Sequence, residues 1–375
     1  MRIYVTGGGT GGHVYPAVAV AEALHAVCDE LGRTLELLWV GAEGGMEADL
    51  VAREGIAFCG LEAGALRGSG PLGMVRGGQR LARGTRQARG LLREARPDAI
   101  LATGGYVSVP LMLAARRERV PSLLYLPDME PGWAVRMLSR WADRVAVSFQ
   151  GVASYFDPDR VVVSGYPVRR ALLEGASFTA RQRLGLDDDL TLLVFGGSRG
   201  ARSINRAVGA NLTQLLDAAQ VVHICGTGDY DEMWRLAEEL SPERRARYHL
   251  HAYLHAGMTD ALLAANLVVA RAGAGTLGEF PAVGVPSVLV PYPHAGAHQA
   301  VNAAYLADRG AAVVVSDGDL AARLAPVVLD LLRDGKRRAE MAAAASRLAV
   351  PDAARTIAHE LLRLGGVAEE APWSR

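Results

Sequence analysis

A chain of 375 residues is longer than one hydrophobic core usually supports, so we expect two domains. Half of the residues are hydrophobic and 21% are charged, which excludes a disordered chain. The 40 basic residues are balanced by 40 acidic ones, and this neutrality argues against binding nucleic acid through overall charge.

The residue inventory excludes several kinds of chemistry. Lys336 is the only lysine, so neither a lysine Schiff base nor a P-loop lysine is expected. The cysteines Cys28, Cys59 and Cys225 are scattered without a C-x-x-C pair, which indicates reduced thiols in a cytosolic protein. No apolar run reaches the ~18 residues of a membrane-spanning helix, and the N-terminus lacks a signal-peptide pattern. We therefore expect a protein that is soluble or peripheral to a membrane.

The first loop, TGGGTGGH at 6–13, follows the apolar run Ile3–Val5 and precedes a helical pattern at about 16–31. Glycines let another molecule approach the backbone closely, and a helix that starts after them directs unpaired N–H groups at an anion. His13 stands where a P-loop would carry lysine. The loop is therefore a candidate phosphate site. The alternative is a tight turn that only packs a strand on a helix.

Short apolar, β-branched runs alternate with helical patterns through the first half of the chain, which predicts a parallel, doubly wound sheet. The predicted strands are Ile3–Val5, Leu35–Val40, Ala99–Ala102, Ser122–Leu126, Arg144–Val147 and Val161–Val163. The predicted helices cover about 16–31, 46–54, 74–95, 107–118 and 131–141.

Residues 66–92 carry many arginines and no acidic residue, with leucines, Met74 and Val75 between them. A helix with interleaved basic and apolar residues suits the surface of an anionic membrane. The alternative is an ordinary surface helix whose arginines extend over apolar neighbours. Nucleic-acid binding is disfavoured because the stretch lacks interleaved aromatic residues.

A second glycine loop, TGGYVS at 103–108, also follows a predicted strand and precedes a predicted helix. Ligands of open parallel sheets bind beyond the carboxyl ends of the strands. Two glycine loops at that edge can hold two phosphates of one ligand.

The pattern restarts after the segment SGYPVR at 164–169. The glycine loop FGGSRG at 195–200 again links a strand to a helical pattern, Ala201–Leu216. The predicted strands of the second half are Leu190–Phe195, Val221–Cys225, His249–Tyr253, Leu267–Ala270, Ser287–Val290 and Ala312–Val315. We therefore predict an α/β protein with two doubly wound Rossmann-like domains, 1–165 and 166–350, that face a central cleft. A helix at 351–366 is a candidate to rejoin the first domain.

The run Arg271–Glu279, RAGAGTLGE, follows a predicted strand, so a helix can begin near Gly275 or Thr276. The N-terminus of this helix and the Thr276 hydroxyl suit a diphosphate. Glu279 lies on the same helix face, where its carboxylate can accept hydrogen bonds from both hydroxyls of a ribose. The alternative is a capping box in which Thr276 is the N-cap and Glu279 its partner.

A polar loop, HAGAHQ at 294–299, follows the next predicted strand. His298 and Gln299 can bind sugar hydroxyls there. The alternative is a solvated loop without a ligand.

Six motifs in the chain resemble, in the same order, those of the MurG family. They are GGGTGGHVYPA, TGGYVSVP, SGYPVR, FGGSRGARSIN, the RAGAGTLGE run and the HAGAHQ loop, which together span about residues 3–350. The resemblance implies a GT-B fold and transfer of N-acetylglucosamine from UDP-GlcNAc to the muramyl sugar of lipid I. The product would be lipid II, the peptidoglycan precursor. It also implies a peripheral enzyme at the cytoplasmic face of the bacterial cell membrane.

The resemblance further implies which residues hold the two substrates. UDP-GlcNAc would contact Thr10, Gly11, Gly12, Arg169, Ser198, Arg199, Ala274, Gly275, Thr276, Glu279, His298 and Gln299, with Asn205 as a lesser candidate. The acceptor would contact Gly8, Gly9, Gly104, Gly105 and Tyr106, and its pyrophosphate would face the 10–13 turn as well.

The mechanism implied by the resemblance is a direct displacement that inverts the anomeric carbon. A base takes the proton of the acceptor hydroxyl, and His13 is the first candidate because imidazole suits proton transfer near neutral pH. The leaving UDP would place its charge on a helix N-terminus and on Arg169 or Arg199, so neither a metal nor another cofactor is required. Asp187–Asp189 indicates a solvated turn rather than a metal-binding pair.

One segment departs from the family pattern. Where typical members carry H-E-Q-N, this chain reads LPDMEPGW at 126–133. Asp128 or Glu130 can therefore replace His13 as the base, or orient it. The departure also leaves open a GT-B transferase with another lipid acceptor such as diacylglycerol. Two further alternatives are a non-catalytic sugar-nucleotide-binding partner and a sugar-nucleotide 2-epimerase on the same fold.

Overall fold

The computed structural model describes residues 1–9, 11–45, 47–63, 70–197, 200–254, 257–293 and 298–367, with the backbone alone for 70–75. The chain forms two compact units. The first comprises Met1–Arg169 and the C-terminal segment from Val350, and the second comprises Arg170–Ala349. The change of unit falls between 169 and 170, slightly later than the boundary that the sequence suggested.

The first unit contains a seven-stranded parallel sheet in the order β3-β2-β1-β4-β5-β6-β7. The strands are β1 (Arg2–Thr6), β2 (Glu36–Ala42), β3 (Ala57–Leu61), β4 (Ala99–Ala102), β5 (Ser122–Leu126), β6 (Arg144–Val147) and β7 (Val161–Val163). In the central register, Val5 lies between Trp39 and Leu101. Every residue of β4 and β5 is buried, which explains why these strands read as continuous apolar runs rather than alternating ones.

Helices follow the strands of this sheet. They are α1 (Gly11–Glu30), α2 (Glu47–Arg53), α3 (Gly70–Ala95), α4 (Ser108–Glu118), α5 (Trp133–Leu138) and α6 (Gln150–Ala153).

The second unit contains a six-stranded parallel sheet in the order β10-β9-β8-β11-β12-β13. The strands are β8 (Thr191–Phe195), β9 (Gln220–Ile224), β10 (Tyr248–His251), β11 (Leu267–Ala270), β12 (Ser287–Leu289) and β13 (Ala312–Val314). The helices are α7 (Arg170–Glu174), α8 (Ser177–Leu184), α9 (Arg202–Ala210), α10 (Leu212–Ala218), α11 (Tyr230–Glu238), α12 (Pro242–Ala246), α13 (Gly257–Ala264), α14 (Glu279–Val283), α15 (His298–Ala307), α16 (Leu320–Arg333) and α17 (Gly335–Ser346).

The last helix, α18 (Ala353–Leu364), packs on the first unit. Ile357 and Leu361 are buried in the same hydrophobic core as β1 and α1. The Arg355 guanidinium donates to both carboxylate oxygens of Glu30, at 2.8 and 2.7 Å. The end of the chain therefore completes the core of the unit in which the chain begins.

Both sheets have a switch point, which is a pair of neighbouring strands whose following connections lead towards opposite edges of the sheet. These strands are β1 and β4 in the first sheet and β8 and β11 in the second. Ligands of open parallel sheets bind in the crevice outside the carboxyl ends of such strands. The four glycine-rich loops follow these four strands, so the topology places each loop at a crevice.

The predicted strands are confirmed within two residues at each end, and three local features differ. The edge strand β3 was not predicted, because it is short and partly exposed and includes Gly60. The helical pattern was predicted from about residue 16, but α1 begins at Gly11 and contains Pro16. The single helix expected at 201–216 is divided at Asn211 into α9 and α10.

Candidate functional site

His13 and Thr103 join the two glycine loops of the first unit. His13 is on the first turn of α1, and its Nδ1 lies 2.7 Å from the Thr103 carbonyl oxygen. The Thr103 hydroxyl donates to the His13 carbonyl, also at 2.7 Å. Because a carbonyl oxygen can only accept, Nδ1 carries the hydrogen of the neutral ring and Nε2 keeps its lone pair. The half-buried ring therefore has one nitrogen held by the protein and one that can accept a proton.

The glycines of these loops leave no room for side chains. A Cβ on Gly7 would clash with the Thr103 hydroxyl, and a Cβ on Gly105 would lie 2.5 Å from the Gly8 carbonyl oxygen. Gly105 also has a φ of +82°, in the left-handed region that favours glycine. The two loops are thus in direct backbone contact.

The structure brings together the five residues predicted to contact the acceptor outside the 10–13 turn. They are Gly8, Gly9, Gly104, Gly105 and Tyr106, all in these two loops. The ring of Tyr106 is 44% exposed and lies close to Gly9, and Gly104 lies close to the His13 ring. An exposed aromatic ring close to the loop that carries His13 is a suitable surface for a sugar.

A buried carboxylate that the sequence pattern did not reveal supports the first loop. Glu47 is 1% exposed; its Oε1 accepts from the Ala42 N–H at 2.9 Å and its Oε2 from the Gly9 N–H at 3.4 Å. The Gly9 N–H is therefore engaged within the protein. Of the described loop residues, Gly11 and Gly12 at the start of α1 carry N–H groups that can meet an anion. The only sequence signal for Glu47 is an acidic residue shortly after a Gly-Gly turn.

Arg169 lies in the first unit, although the sequence assigned it to the second. Its guanidinium carbon lies 4.7 Å from the centroid of the Tyr15 ring on α1, a cation–π contact. Tyr15 in turn lies close to Gly11. Among the described residues, the buried Nε of Arg169 has no hydrogen-bond partner. The arrangement places a positive charge beside the start of α1.

The segment that departs from the family pattern begins at the end of β5. The Tyr125 phenol lies 2.6 Å from the Ser148 hydroxyl, which also reaches the first backbone carbonyls of the segment at 3.2 Å. Burial raises the pKa of Tyr125 well above its ordinary value, so the phenol stays protonated. Asp128 and Glu130 follow this anchor and are half-buried.

In the second unit, the run after β11 forms a short 3-10 helix, Ala274–Leu277. The N–H and the hydroxyl of Thr276 both donate to the Gly273 carbonyl, at 3.0 and 2.8 Å. The capping-box alternative is wrong, because the N-cap of α14 is Gly278 and makes no side-chain bond. The donors that this turn can offer a diphosphate are therefore the N–H groups of its first residues, Ala274 and Gly275, rather than the Thr276 hydroxyl.

Arg271 organises this loop and was not predicted. Its side chain is 10% exposed and pairs with Asp317 at 2.5 Å. It also donates to the Ser203 hydroxyl oxygen at 2.7 Å and to the Val290 carbonyl at 3.2 Å, and it lies 5.3 Å from the centroid of the Tyr292 ring. These contacts tie the end of β11 to α9 and to the end of β12. The sequence signal was a single charged residue directly after an apolar strand.

Two amides of α15 hold neighbouring loops in place. Gln299 accepts from the Tyr292 N–H at 2.9 Å, and the buried Asn302 donates to the Ala272 carbonyl at 3.2 Å. Asn302 was not predicted, although it lies one helical turn after His298. Gln299 therefore makes a structural bond in addition to any contact with a sugar.

The remaining predicted contacts differ in where they lie. Glu279 and His298 are the half-buried first residues of α14 and α15. The prediction that Asn205 is a ligand is wrong, because its side chain is fully buried and donates to the Cys225 carbonyl at 2.8 Å. Thr10, Ser198 and Arg199 lie outside the described residues.

Most of the basic stretch predicted at 66–92 belongs to α3; residues 66–69 and the side chains of 70–75 lie outside the described part of the chain. Arg76, Arg80, Arg83 and Arg86 are exposed. Leu92, which was expected to contact the membrane, is only 1% exposed and packs inside the unit. The outward face of this helix is therefore basic.

An open groove of about 730 Å³ lies between α3 and α4, lined by Arg86, Arg89, Arg93 and Arg117 among others. Glu118 accepts from Arg93 and Arg89 at 2.8 and 2.7 Å, and these bonds lower the pKa of its carboxyl. Over the described ranges, no helix is both long enough and apolar enough to cross a membrane.

Comparisons with known proteins identify a family. The glycosyltransferase family 28 N-terminal domain matches residues 3–147, and the glycosyltransferase family 28 C-terminal domain matches residues 191–357. A relative from Roseiflexus sp. (strain RS-1) is 46% identical, and the match covers 96% of this chain and 94% of the relative. That relative is named UDP-N-acetylglucosamine--N-acetylmuramyl-(pentapeptide) pyrophosphoryl-undecaprenol N-acetylglucosamine transferase.

Solved structures share the fold. MurG from Acinetobacter baumannii matches with a TM-score of 0.70 at 27% identity, over 96% of this chain and 99% of that chain. UDP-GlcNAc 2-epimerase from Neisseria meningitidis, bound to UDP-GlcNAc, matches with a TM-score of 0.69 over 97% of this chain and 100% of that chain, but at 13% identity it shows the fold alone. Since one fold serves several reactions, the family is decided by the sequence identity over nearly the whole chain. This chain belongs to the MurG family of GT-B glycosyltransferases, within glycosyltransferase family 28.

Proposed function

We propose that this protein transfers N-acetylglucosamine from UDP-GlcNAc to lipid I, giving lipid II for peptidoglycan synthesis. The observation that carries the proposal is the His13 ring: the Thr103 carbonyl holds Nδ1, and Nε2 is left as a proton acceptor at the β1/β4 crevice. Family membership supports the choice of substrates, because the Roseiflexus relative is named for this transfer.

The first unit binds the acceptor in this proposal. Lipid I carries a pyrophosphate, and the N–H groups of Gly11 and Gly12 begin α1, where the helix dipole is positive. Tyr106 is exposed beside the same loop and can cover the muramyl sugar. The pyrophosphate would thus be held close to His13.

The second unit binds UDP-GlcNAc at the β8/β11 crevice. The N–H groups of Ala274 and Gly275 begin the 3-10 turn and suit the diphosphate, together with Ser198 of the loop after β8. Glu279 begins the next helix and suits the ribose hydroxyls. His298 and Gln299 begin α15 and would contact the N-acetylglucosamine.

Transfer proceeds by one displacement. The acceptor oxygen attacks the anomeric carbon as its proton passes to Nε2 of His13. The bond from the anomeric carbon to the diphosphate oxygen breaks with inversion, and UDP leaves with the electron pair. The protonated ring keeps its Nδ1–H bond to the Thr103 carbonyl, which stabilises the new positive charge. The negative charge on the diphosphate is stabilised by helix N-terminal N–H groups and by Arg169 or Arg199.

We propose that α3 holds the enzyme peripherally at the cytoplasmic face of the membrane, where a lipid-linked acceptor is found. The exposed arginines Arg76, Arg80 and Arg86 form a basic face, and anionic head groups attract such a face. The groove between α3 and α4 offers further guanidinium groups.

The test uses labelled UDP-GlcNAc with vesicles that contain lipid I, or diacylglycerol in its place. Label in the lipid I product is the expected result. Label in diacylglycerol alone would show that diacylglycerol, and not lipid I, is the acceptor. Diacylglycerol is the second candidate acceptor because of the altered 126–133 segment. Binding of UDP-GlcNAc without transfer to either lipid would indicate a non-catalytic binding protein.

A further inference from the structure

A buried chain of polar side chains crosses three elements of the second unit. Asn205 on α9 and His223 on β9 are fully buried, and Tyr248 on β10 is 2% exposed. His223 lies between the other two: its Nδ1 is 2.8 Å from the Tyr248 hydroxyl and its Nε2 is 3.0 Å from the Asn205 Oδ1. Burying polar groups is costly unless they are hydrogen-bonded, so each member of this chain depends on its neighbours for a partner.

Every hydrogen in this chain has one possible direction. Burial lowers the pKa of His223 to about 3, so the ring is neutral and only one nitrogen carries a hydrogen. The Asn205 Nδ2 faces two acceptors, the Cys225 carbonyl and the Asp229 carboxylate, each at 2.8 Å. Its Oδ1 therefore faces His223 and must accept from Nε2–H. The Tyr248 hydroxyl then donates to Nδ1.

The chain ends at the turn that follows β9. Asp229 accepts from Asn205 and, on its other oxygen, from Arg202 at the start of α9, at 2.9 Å. Gly200, the last residue of the glycine loop after β8, packs against this turn, since a Cβ there would lie 2.5 Å from the Cys225 carbonyl oxygen. The position of the Cys225 carbonyl therefore limits the position of the loop.

We propose that His223 and Tyr248 are positioning residues for the UDP-GlcNAc site, because Tyr248 supports His223 and His223 supports the Asn205 amide that holds the turn after β9 against the glycine loop. The inference rests on the proposed function, which assigns that loop to the diphosphate. With the hydrogen on Nδ1 instead, the Asn205 amide would turn over. The Cys225 carbonyl would then face an oxygen instead of a donor.

Tyr248→Phe tests this with little change in shape, since it removes only the hydroxyl that donates to Nδ1 and leaves that buried nitrogen without its partner. The matched control is Gln220→Met. Gln220 is 1% exposed on the same strand as His223, but it bonds to the backbone of Asp187 and Asp189, before β8 begins and away from the glycine loop. Both variants lose buried hydrogen bonds in one unit, and only Tyr248→Phe acts on the turn.

The measurement is the Kd for UDP by calorimetry, with the KM for UDP-GlcNAc and for lipid I. We expect Tyr248→Phe to raise the Kd and the KM for UDP-GlcNAc about tenfold, the value of one oriented hydrogen bond, and to leave the KM for lipid I unchanged. Gln220→Met should lower the thermal midpoint without changing the Kd. Equal Kd values in Tyr248→Phe and the unmodified protein, or equal increases in both variants, would overturn the proposal.

A second measurement does not depend on catalysis. In protein labelled with ¹⁵N-histidine, the His223 ring, assigned by its loss in His223→Gln, should show the Nε2–H tautomer; an Nδ1–H tautomer would overturn the proposal. If the unmodified protein binds UDP without transferring sugar to lipid I, only the proposed acceptor fails. If it does not bind UDP, both proposals fail.

Discussion

Thr103 and His13 exchange two hydrogen bonds, one from Nδ1 to the Thr103 carbonyl and one from the Thr103 hydroxyl to the His13 carbonyl, each 2.7 Å long. The pair joins the first turn of α1 to the loop after β4. A ring held at one nitrogen by a backbone carbonyl cannot rotate freely, and its second nitrogen keeps a fixed direction. This is the geometry that a general base requires.

Removing the His13 ring should slow the chemical step. We expect His13→Ala to lower kcat by a factor of about 10² to 10⁴, the usual contribution of a general base, and to leave the KM for UDP-GlcNAc unchanged. His25→Ala is the matched control, because His25 is an exposed histidine on the same helix. Near-normal kcat in His13→Ala, with a large loss in Asp128→Asn or Glu130→Gln, would transfer the role to that carboxylate.

A methyl group at Gly105 should disturb the contact between the two loops. Gly105→Ala meets the Gly8 carbonyl and a positive φ, so we expect the free energy of unfolding to fall by about 2 kcal/mol, with a lower kcat. Gly90→Ala is the control, because Gly90 lies inside α3 and an added Cβ would meet no atom of another element within 4 Å. We expect this variant to raise the free energy of unfolding by about 0.5–1 kcal/mol. Urea unfolding of both variants checks the prediction. Equal free energies of unfolding for Gly105→Ala and the unmodified protein would show that the loops tolerate a side chain at this position.

The second unit should lose stability in mild acid. Burial lowers the pKa of His223 from 6.5 to about 3. Above pH 6.5, His223 is neutral in both the folded and the unfolded protein, so its burial does not lower the free energy of unfolding. Below pH 6.5 the free energy of unfolding falls, because the unfolded chain binds a proton that the folded protein excludes. At about 1.4 kcal/mol per pH unit, the loss reaches about 2 kcal/mol by pH 5. His249 and His251, whose pKa values burial also lowers, act in the same direction.

Urea unfolding at pH 7, 6 and 5 measures this slope. In His223→Gln the slope should be smaller by one proton, while His249 and His251 remain as background. A slope that is the same in both proteins would exclude His223 as its source.

Reversing the charge of α3 should weaken membrane binding. The variant Arg80→Glu, Arg83→Glu, Arg86→Glu changes three exposed residues and should reduce binding to vesicles with anionic lipid by about 3 kcal/mol, or roughly a hundredfold. The control reverses Arg333, Lys336 and Arg337, three exposed cations of the second unit. Vesicle co-sedimentation distinguishes the two. Equal binding by both variants would contradict a specific role for α3.

Much of the fold could be predicted from the sequence, because the relevant signals are local. Apolar runs of strand length, helical patterns between them and glycines directly after strands predicted two doubly wound sheets. The same signals placed the candidate loops at 6–13, 103–108 and 271–279, since a strand that runs into glycines marks a crevice wherever the sheet changes direction. The edge strand β3 was not predicted because it is only five residues long, is partly exposed and includes Gly60.

The roles of single residues were decided by contacts between distant parts of the chain. His13 and Thr103 are 90 residues apart, Glu47 lies 38 residues from the loop that it supports, and nothing local announces either pairing. The family resemblance made Asn205 a lesser candidate for a ligand contact, yet the fold turns its side chain inward onto the Cys225 carbonyl. The sequence by itself determined which residues could carry the chemistry. Only the tertiary structure decided which of their atoms remain available, because burial and hydrogen bonding depend on what packs against each residue.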